Sequence, residues 1–163
     1  MLHEGSTIKV VRPPPTLRGV EAVTLRPGLT SLAAAQVLAH EYTHCWLWLQ
    51  RFPLLPTRLE EGLCELLSYL YLLSLLRESD GDSDGGVGFS ILDRRDAKAI
   101  REQILSIEAN AHPDYGGGFR ECVAALRGRT LHELLYYVQE HACLPPTIDE
   151  AGQGPPIPTA YMH

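Results

Sequence analysis

Apolar and polar positions divide the chain into a short β-like start, a long helical middle and a patternless end. Ile8–Val11 and Glu21–Leu25 are brief β-branched runs separated by Pro13–Pro15 and Gly19, and they predict two short strands. Pro27 and Gly28 break the second. Thr30 or Ser31 then caps a predicted helix over roughly residues 32–51, where Ala33, Ala34, Ala35, Leu38 and Leu47 are good helix formers. Phe52–Pro56 ends it. Thr57 and Glu60 form a T-x-x-E capping box that opens a second helix near Arg58. This helix runs to about Glu78 and is apolar on most sides, which predicts a central position. A third helix is expected over roughly 93–110, a Pro/Gly turn over His112–Gly118, and a fourth helix from Phe119 to Gly128. A second capping box, Thr130 with Glu133, opens a last helix to about Ala142. The expected fold class is α+β, mainly α, with a small N-terminal sheet and about five helices. One domain is expected over residues 1–145 and a disordered tail over 146–163, where no apolar period survives.

Composition narrows the classes. Of the 163 residues, 45% are hydrophobic and 21% charged, which suits one soluble globular domain. The net charge of −6 argues against a general nucleic-acid binder. The most apolar stretch, Gly62–Leu76, is too short to span a membrane and carries Glu65 inside it. The first twenty residues hold charges and three consecutive prolines without an apolar run, so no signal peptide and a cytoplasmic location are expected. Cys45, Cys64, Cys122 and Cys143 form no C-x-x-C pair and read as reduced, mostly buried thiols. Asp80, Asp82, Asp84 and Gly85 begin like a calcium loop. The twelfth position is Ile91 rather than a bidentate glutamate, so a solvated loop is the better reading.

The chemistry concentrates in His40-Glu41-Tyr42-Thr43-His44, an H-E-x-x-H sequence inside a predicted helix. Residues four apart share one helical face, so both imidazoles can reach one zinc ion. Glu41, beside the first ligand, is placed to hold a water molecule and take its proton. Three ionisable side chains in an Ala/Leu/Trp-rich helix would be costly without such a purpose. A catalytic zinc needs a third protein ligand. The extended motif H-E-x-x-H-x-x-G-x-x-H is excluded, because Leu47 and Gln50 occupy its Gly and His positions. Glutamates on the next helix remain. Glu61 is assigned as the third ligand, with Glu60 and Glu65 as alternatives. Glu65 then serves as an acceptor for the free N–H of a ligand histidine. Tyr115, ahead of three glycines, is a candidate donor to the oxyanion of an attacked peptide, and His112 a weaker one. An ordinary turn tyrosine is the alternative. Arg120 is expected to pair with a glutamate.

The blocks Leu-Ala-His-Glu-Tyr-Thr-His-Cys-Trp-Leu, Leu-Glu-Glu-Gly-Leu-Cys-Glu and Tyr-Gly-Gly-Gly-Phe-Arg occur in that order. Together they resemble the C-terminal peptidase domain of the plant LIM-domain, ubiquitin-activated peptidases that limit organ size. The resemblance covers roughly residues 20–145, and more broadly the sequence is similar to the gluzincins. It implies a zincin-like fold and an intracellular zinc endopeptidase of protein substrates. His40, Glu41 and His44 match the family's H-E-x-x-H, and Glu61 matches the glutamate before its glycine. The LIM module and the ubiquitin-interacting motifs lie outside the resemblance, and ubiquitin-linked regulation is implied by the family alone. Glu65 stands where a glutamine is expected. The resulting expectation is a Zn2+ peptidase using a zinc-activated water with Glu41 as general base, and with Glu21–Leu25 pairing an extended substrate. The alternative is a zinc-stabilised scaffold, a pseudoprotease that binds protein partners without cleaving them.

Overall fold

Thr30 adopts extended backbone, and its hydroxyl accepts the Ala33 N–H at 3.2 Å, so the first helix, α1 (Ser31–Leu49), starts at the expected cap. It stops just as locally. Arg51 takes a left-handed φ of 60°, and the Phe52 N–H reaches back to the Leu47 carbonyl at 3.0 Å, closing the helix in a Schellman-like turn. Proline-rich backbone follows, and α2 (Thr57–Asp80) begins with the Leu59 and Glu60 N–H groups on the Pro56 carbonyl. Further on come α3 (Arg94–Glu108), a single π-helical turn (Pro113–Gly117), α4 (Gly118–Leu126) and α5 (Leu131–His141). Thr130 and Glu133 form the reciprocal capping box that opens α5. These elements come from a computed structural model that describes residues 22–80 and 94–147.

The apolar pattern of α2 has the consequence expected of it. It packs against α1, α3, the π turn and α4. Leu63, Cys64, Leu66 and Leu72 of α2 are buried, together with Ile100 from α3, Phe119 and Cys122 from α4, and Leu134 and Val138 from α5. On α3 the buried Ala97, Ile100, Ile104 and Ile107 recur every three or four residues, the period of one helical face. No helix among the described residues is long and apolar enough to cross a membrane.

The expected N-terminal sheet is corrected. Among the described residues there is no strand, and the regular structure is helical. Ala22–Leu25 carries β-branched residues, yet Ala22, Val23 and Thr24 stand exposed and belong to no ladder. A β-rich composition makes a strand only where a neighbouring strand takes its N–H and C=O groups. The other half of the predicted pair, Ile8–Val11, lies outside the described residues, as does most of Asp80–Gly88 and of the tail. Where the tail begins, Arg129 Nη2 donates to the Pro146 carbonyl at 2.7 Å.

Two glycines set how closely α2 meets the segment after the π turn. A Cβ on Gly62 would lie 2.5 Å from the Gly118 carbonyl carbon, and a Cβ on Gly118 would lie 2.2 Å from the Arg58 carbonyl oxygen. Only hydrogen fits at either position, so the backbones touch. Above this crossing Arg58 grips Glu121 with two bonds of 3.1 and 2.7 Å. Gly62→Ala tests the contact. Helix propensity alone would favour alanine by about 1 kcal/mol. Overpacking against backbone costs about 1–3 kcal/mol, and the obstructing atoms cannot rotate away. A lowered melting temperature is therefore expected; an unchanged or raised one would show that the helices separate freely here.

Candidate metal centre

His40 and His44 stand one turn apart on α1, with ring centroids 5.2 Å apart. Their face meets the first turns of α2. His40 Nε2 lies 3.2 Å and His44 Nε2 3.5 Å from the same atom, Oε2 of Glu61. The other nitrogens face other carboxylates. His44 Nδ1 donates to Glu60 Oε1 at 2.8 Å, and His40 Nδ1 lies 3.6 Å from Glu65 Oε1. Both Nε2 atoms thus converge, and both Nδ1 atoms turn outward.

A tetrahedral zinc with bonds of about 2.0–2.1 Å keeps its ligand atoms roughly 3.3 Å apart. The two Nε2–Oε2 separations match that edge, so the residues present fit the ion. A second donor set overlaps it: one ligand atom each from His40, His44 and Cys64 lie within 4.8 Å of one another. Charge separates the two candidates. Burial on its own would raise the Glu61 carboxyl, but its contacts with His40 and His44 outweigh burial and bring it down to about 2. Burial pushes the Cys64 thiol the other way, up to about 11, with His44 opposing. Glu61 is therefore already an anion, whereas Cys64 would have to lose a proton beside existing carboxylates. Burial also acts to lower His44, and hydrogen bonding to Cys64, Glu60 and Glu61 reverses it, lifting the imidazole to about 12. These acids thus hold His44 as a cation, and a metal would supply that positive charge in place of its proton.

Glu41 is buried, only 9% exposed, and its Oε2 has no hydrogen-bond partner. An unsatisfied buried carboxylate oxygen is expensive and rare. A water molecule held at the site would satisfy it.

Tyr115 reaches the site from the π turn. Its ring stacks on His40 at a centroid distance of 6.0 Å, and His112 packs edge-on against it at 5.0 Å. The π turn holds it there. A Cβ on Gly116 would overlap the Asn110 carbonyl oxygen at 1.8 Å, and that oxygen also accepts from Arg120 Nη1 at 2.9 Å. Arg120, expected to pair with a glutamate, instead anchors this turn. His112 Nδ1 accepts the Asp114 N–H at 3.2 Å and so caps the turn. Burial raises the Tyr115 phenol, and the Glu61 charge raises it further, so it keeps its proton as a donor.

A family model described as DA1-like, Protein DA1, matches residues 9–141, which include every residue of this centre. The chain belongs to the DA1-like family. Among DA1-like relatives, Protein DA1-related 2 of Arabidopsis thaliana is 32% identical over 123 residues, 65% of this chain and 23% of its own length. Protein DA1 of the same plant is 29% identical over 128 residues, 74% of this chain and 24% of its own. The LIM domain-containing protein HDR3 of Oryza sativa subsp. japonica is 28% identical over 139 residues, 74% of this chain and 27% of its own. The chain thus spans about a quarter of the length of the DA1-like proteins it matches. No solved structure gives a significant match.

Two residues of this DA1-like centre have contacts that the sequence alone does not assign. Glu60, expected as a capping-box residue or an alternative ligand, pairs with His44 Nδ1. Cys64 is the buried thiol expected of it and also lies beside the histidine pair. Cys64 falls three residues after Glu61, one turn on, and that spacing was the available signal.

Proposed function

We propose that this DA1-like domain is a zinc-dependent endopeptidase acting on protein or peptide substrates, with His40, His44 and Glu61 as metal ligands. The reading rests on one observation above all: two Nε2 atoms converge on one Glu61 oxygen beside a buried glutamate with an unsatisfied oxygen. Zinc, when bound, acts as a Lewis acid on the peptide carbonyl and lowers the pKa of water to about 7. Glu41 orients the attacking water through its unsatisfied Oε2 and accepts its proton. It then passes that proton to the nitrogen of the leaving amine. Tyr115 donates its phenolic hydrogen to the developing oxyanion, and its ring, stacked on His40, holds the hydroxyl in register. His112 supports Tyr115 and the turn rather than the reaction. Substrate choice and ubiquitin-linked control are proposed at the level of the family alone, with no residue of this centre assigned to them.

Metal analysis tests the proposal directly. Purified protein is expected to hold about one zinc per chain. Chelation should stop hydrolysis of an unfolded protein substrate, and added zinc should restore it. Full activity after complete metal removal, or no zinc uptake on reconstitution, would sink the reading.

Cys64 supports a second reading. A thiolate joining His40, His44 and Glu61 would fill four positions and close the site, as in structural zinc centres. The domain would then be a zinc-stabilised scaffold that binds partners. Cobalt substitution separates the two. Sulfur ligation gives an intense near-ultraviolet charge-transfer band that Cys64→Ser removes, and the peptidase reading predicts no such band.

A further inference from the structure

We infer that Glu60 is a positioning residue for the metal centre, holding His44 in the tautomer and orientation that aim Nε2 at Glu61. The inference rests on the zinc reading proposed above and goes beyond it, because Glu60 is placed outside the ligand set and given a separate task.

The geometry is two-sided. On one edge of the His44 ring, Nε2 faces Glu61 Oε2 at 3.5 Å. On the other, Nδ1 meets Glu60 Oε1 at 2.8 Å, with 11% and 15% of the two side chains exposed. A carboxylate oxygen is an acceptor, and at 2.8 Å it pairs with a ring N–H at Nδ1. When a metal binds, Nε2 gives up its own proton and offers its lone pair, while Nδ1 keeps its bond to Glu60. A short charge-assisted bond between largely enclosed groups also stops the ring from rotating. His40 has the weaker counterpart, with Glu65 at 3.6 Å from its Nδ1, beyond ordinary hydrogen-bond length. The two ligand histidines are therefore held unequally, and His44 is the one held firmly.

Position supports the assignment. Glu60 and Glu61 are adjacent on α2, so their side chains leave the helix about 100° apart. One glutamate therefore reaches the inner edge of the histidine pair and its neighbour reaches the outer edge of His44. A first-turn glutamate serving only the helix dipole has no need to point at an imidazole. Glu60 does so through a partly buried bond, which gives the Glu-Glu pair two distinct uses.

The test compares wild type, Glu60→Ala and Glu60→Gln. Zinc affinity is read by competition with a chromophoric chelator, and the apo-proteins are melted alongside. Loss of a carboxylate behind a ligand histidine costs about 10–100-fold in metal affinity. That loss is expected in Glu60→Ala. Glu60→Gln keeps an oxygen acceptor and should recover part of it. In the zinc-loaded wild type, long-range proton–nitrogen spectra should show His44 protonated at Nδ1, a signature that Glu60→Ala weakens. Equal affinity for zinc in wild type and Glu60→Ala would overturn the inference while leaving the metal reading intact. So would a drop in apo melting temperature with affinity unchanged, which marks a helix-start role. A loss in Glu60→Ala as complete as that in Glu61→Ala would make Glu60 a ligand and also overturn it. A wild type that takes up no zinc removes the metal reading itself, and the inference with it.

Discussion

Glu41→Gln should keep its zinc and lose peptide hydrolysis by about 10²–10⁴-fold, the range that a general base supplies. Glutamine matches glutamate in shape and can still accept a hydrogen bond from water. It cannot take the proton. The fold should tolerate the change. Glu41 is buried and one of its oxygens has no partner, so an ionised side chain is costly there and a neutral amide less so. The melting temperature of the apo-variant should accordingly equal or exceed that of the wild type. Turnover on a protein substrate, zinc content by mass spectrometry and a thermal melt check the three statements together. Zinc lost from the variant would mean that Glu41 is itself a ligand. Surviving turnover would remove it as the base.

Much of this centre was legible because the helix repeat is local. The four-residue interval between His40 and His44, the cap at Thr30 and the capping box at Thr130 each depend on a few neighbouring residues, and local rules reached them. Glu61 was reached by elimination among three glutamates, and the convergence of both Nε2 atoms on its oxygen then singled it out. The predicted strands are not found among the described residues. A sheet depends on a partner distant in the chain, and Ala22–Leu25 has none among the described residues. The role of Glu60 was hidden because its first-turn position already had a local explanation. The contact between Gly62 and Gly118 was hidden too, being a meeting of backbones 56 residues apart by their numbering. Glycine triplets read as turns, but nothing local says which helix will press against them.

Glu61→Ala should lose zinc by more than the 10–100-fold that an outer partner costs, because it removes an anion from the ligand set. Hydrolysis should vanish with the metal. Cys64→Ser is the necessary companion, since Cys64 belongs to the overlapping donor set. Cys64 is fully enclosed, and burial holds its thiol protonated, so the serine variant should keep its zinc. It should show only the loss of stability that follows from a hydroxyl in an apolar position. Glu61 instead lies between both imidazoles as an ionised carboxylate, at separations matching a tetrahedral edge. Chelator competition on the two variants measures the contrast. Zinc held normally by Glu61→Ala and lost by Cys64→Ser would reverse the assignment. The site would then be a histidine–cysteine one, and the scaffold reading would replace the peptidase.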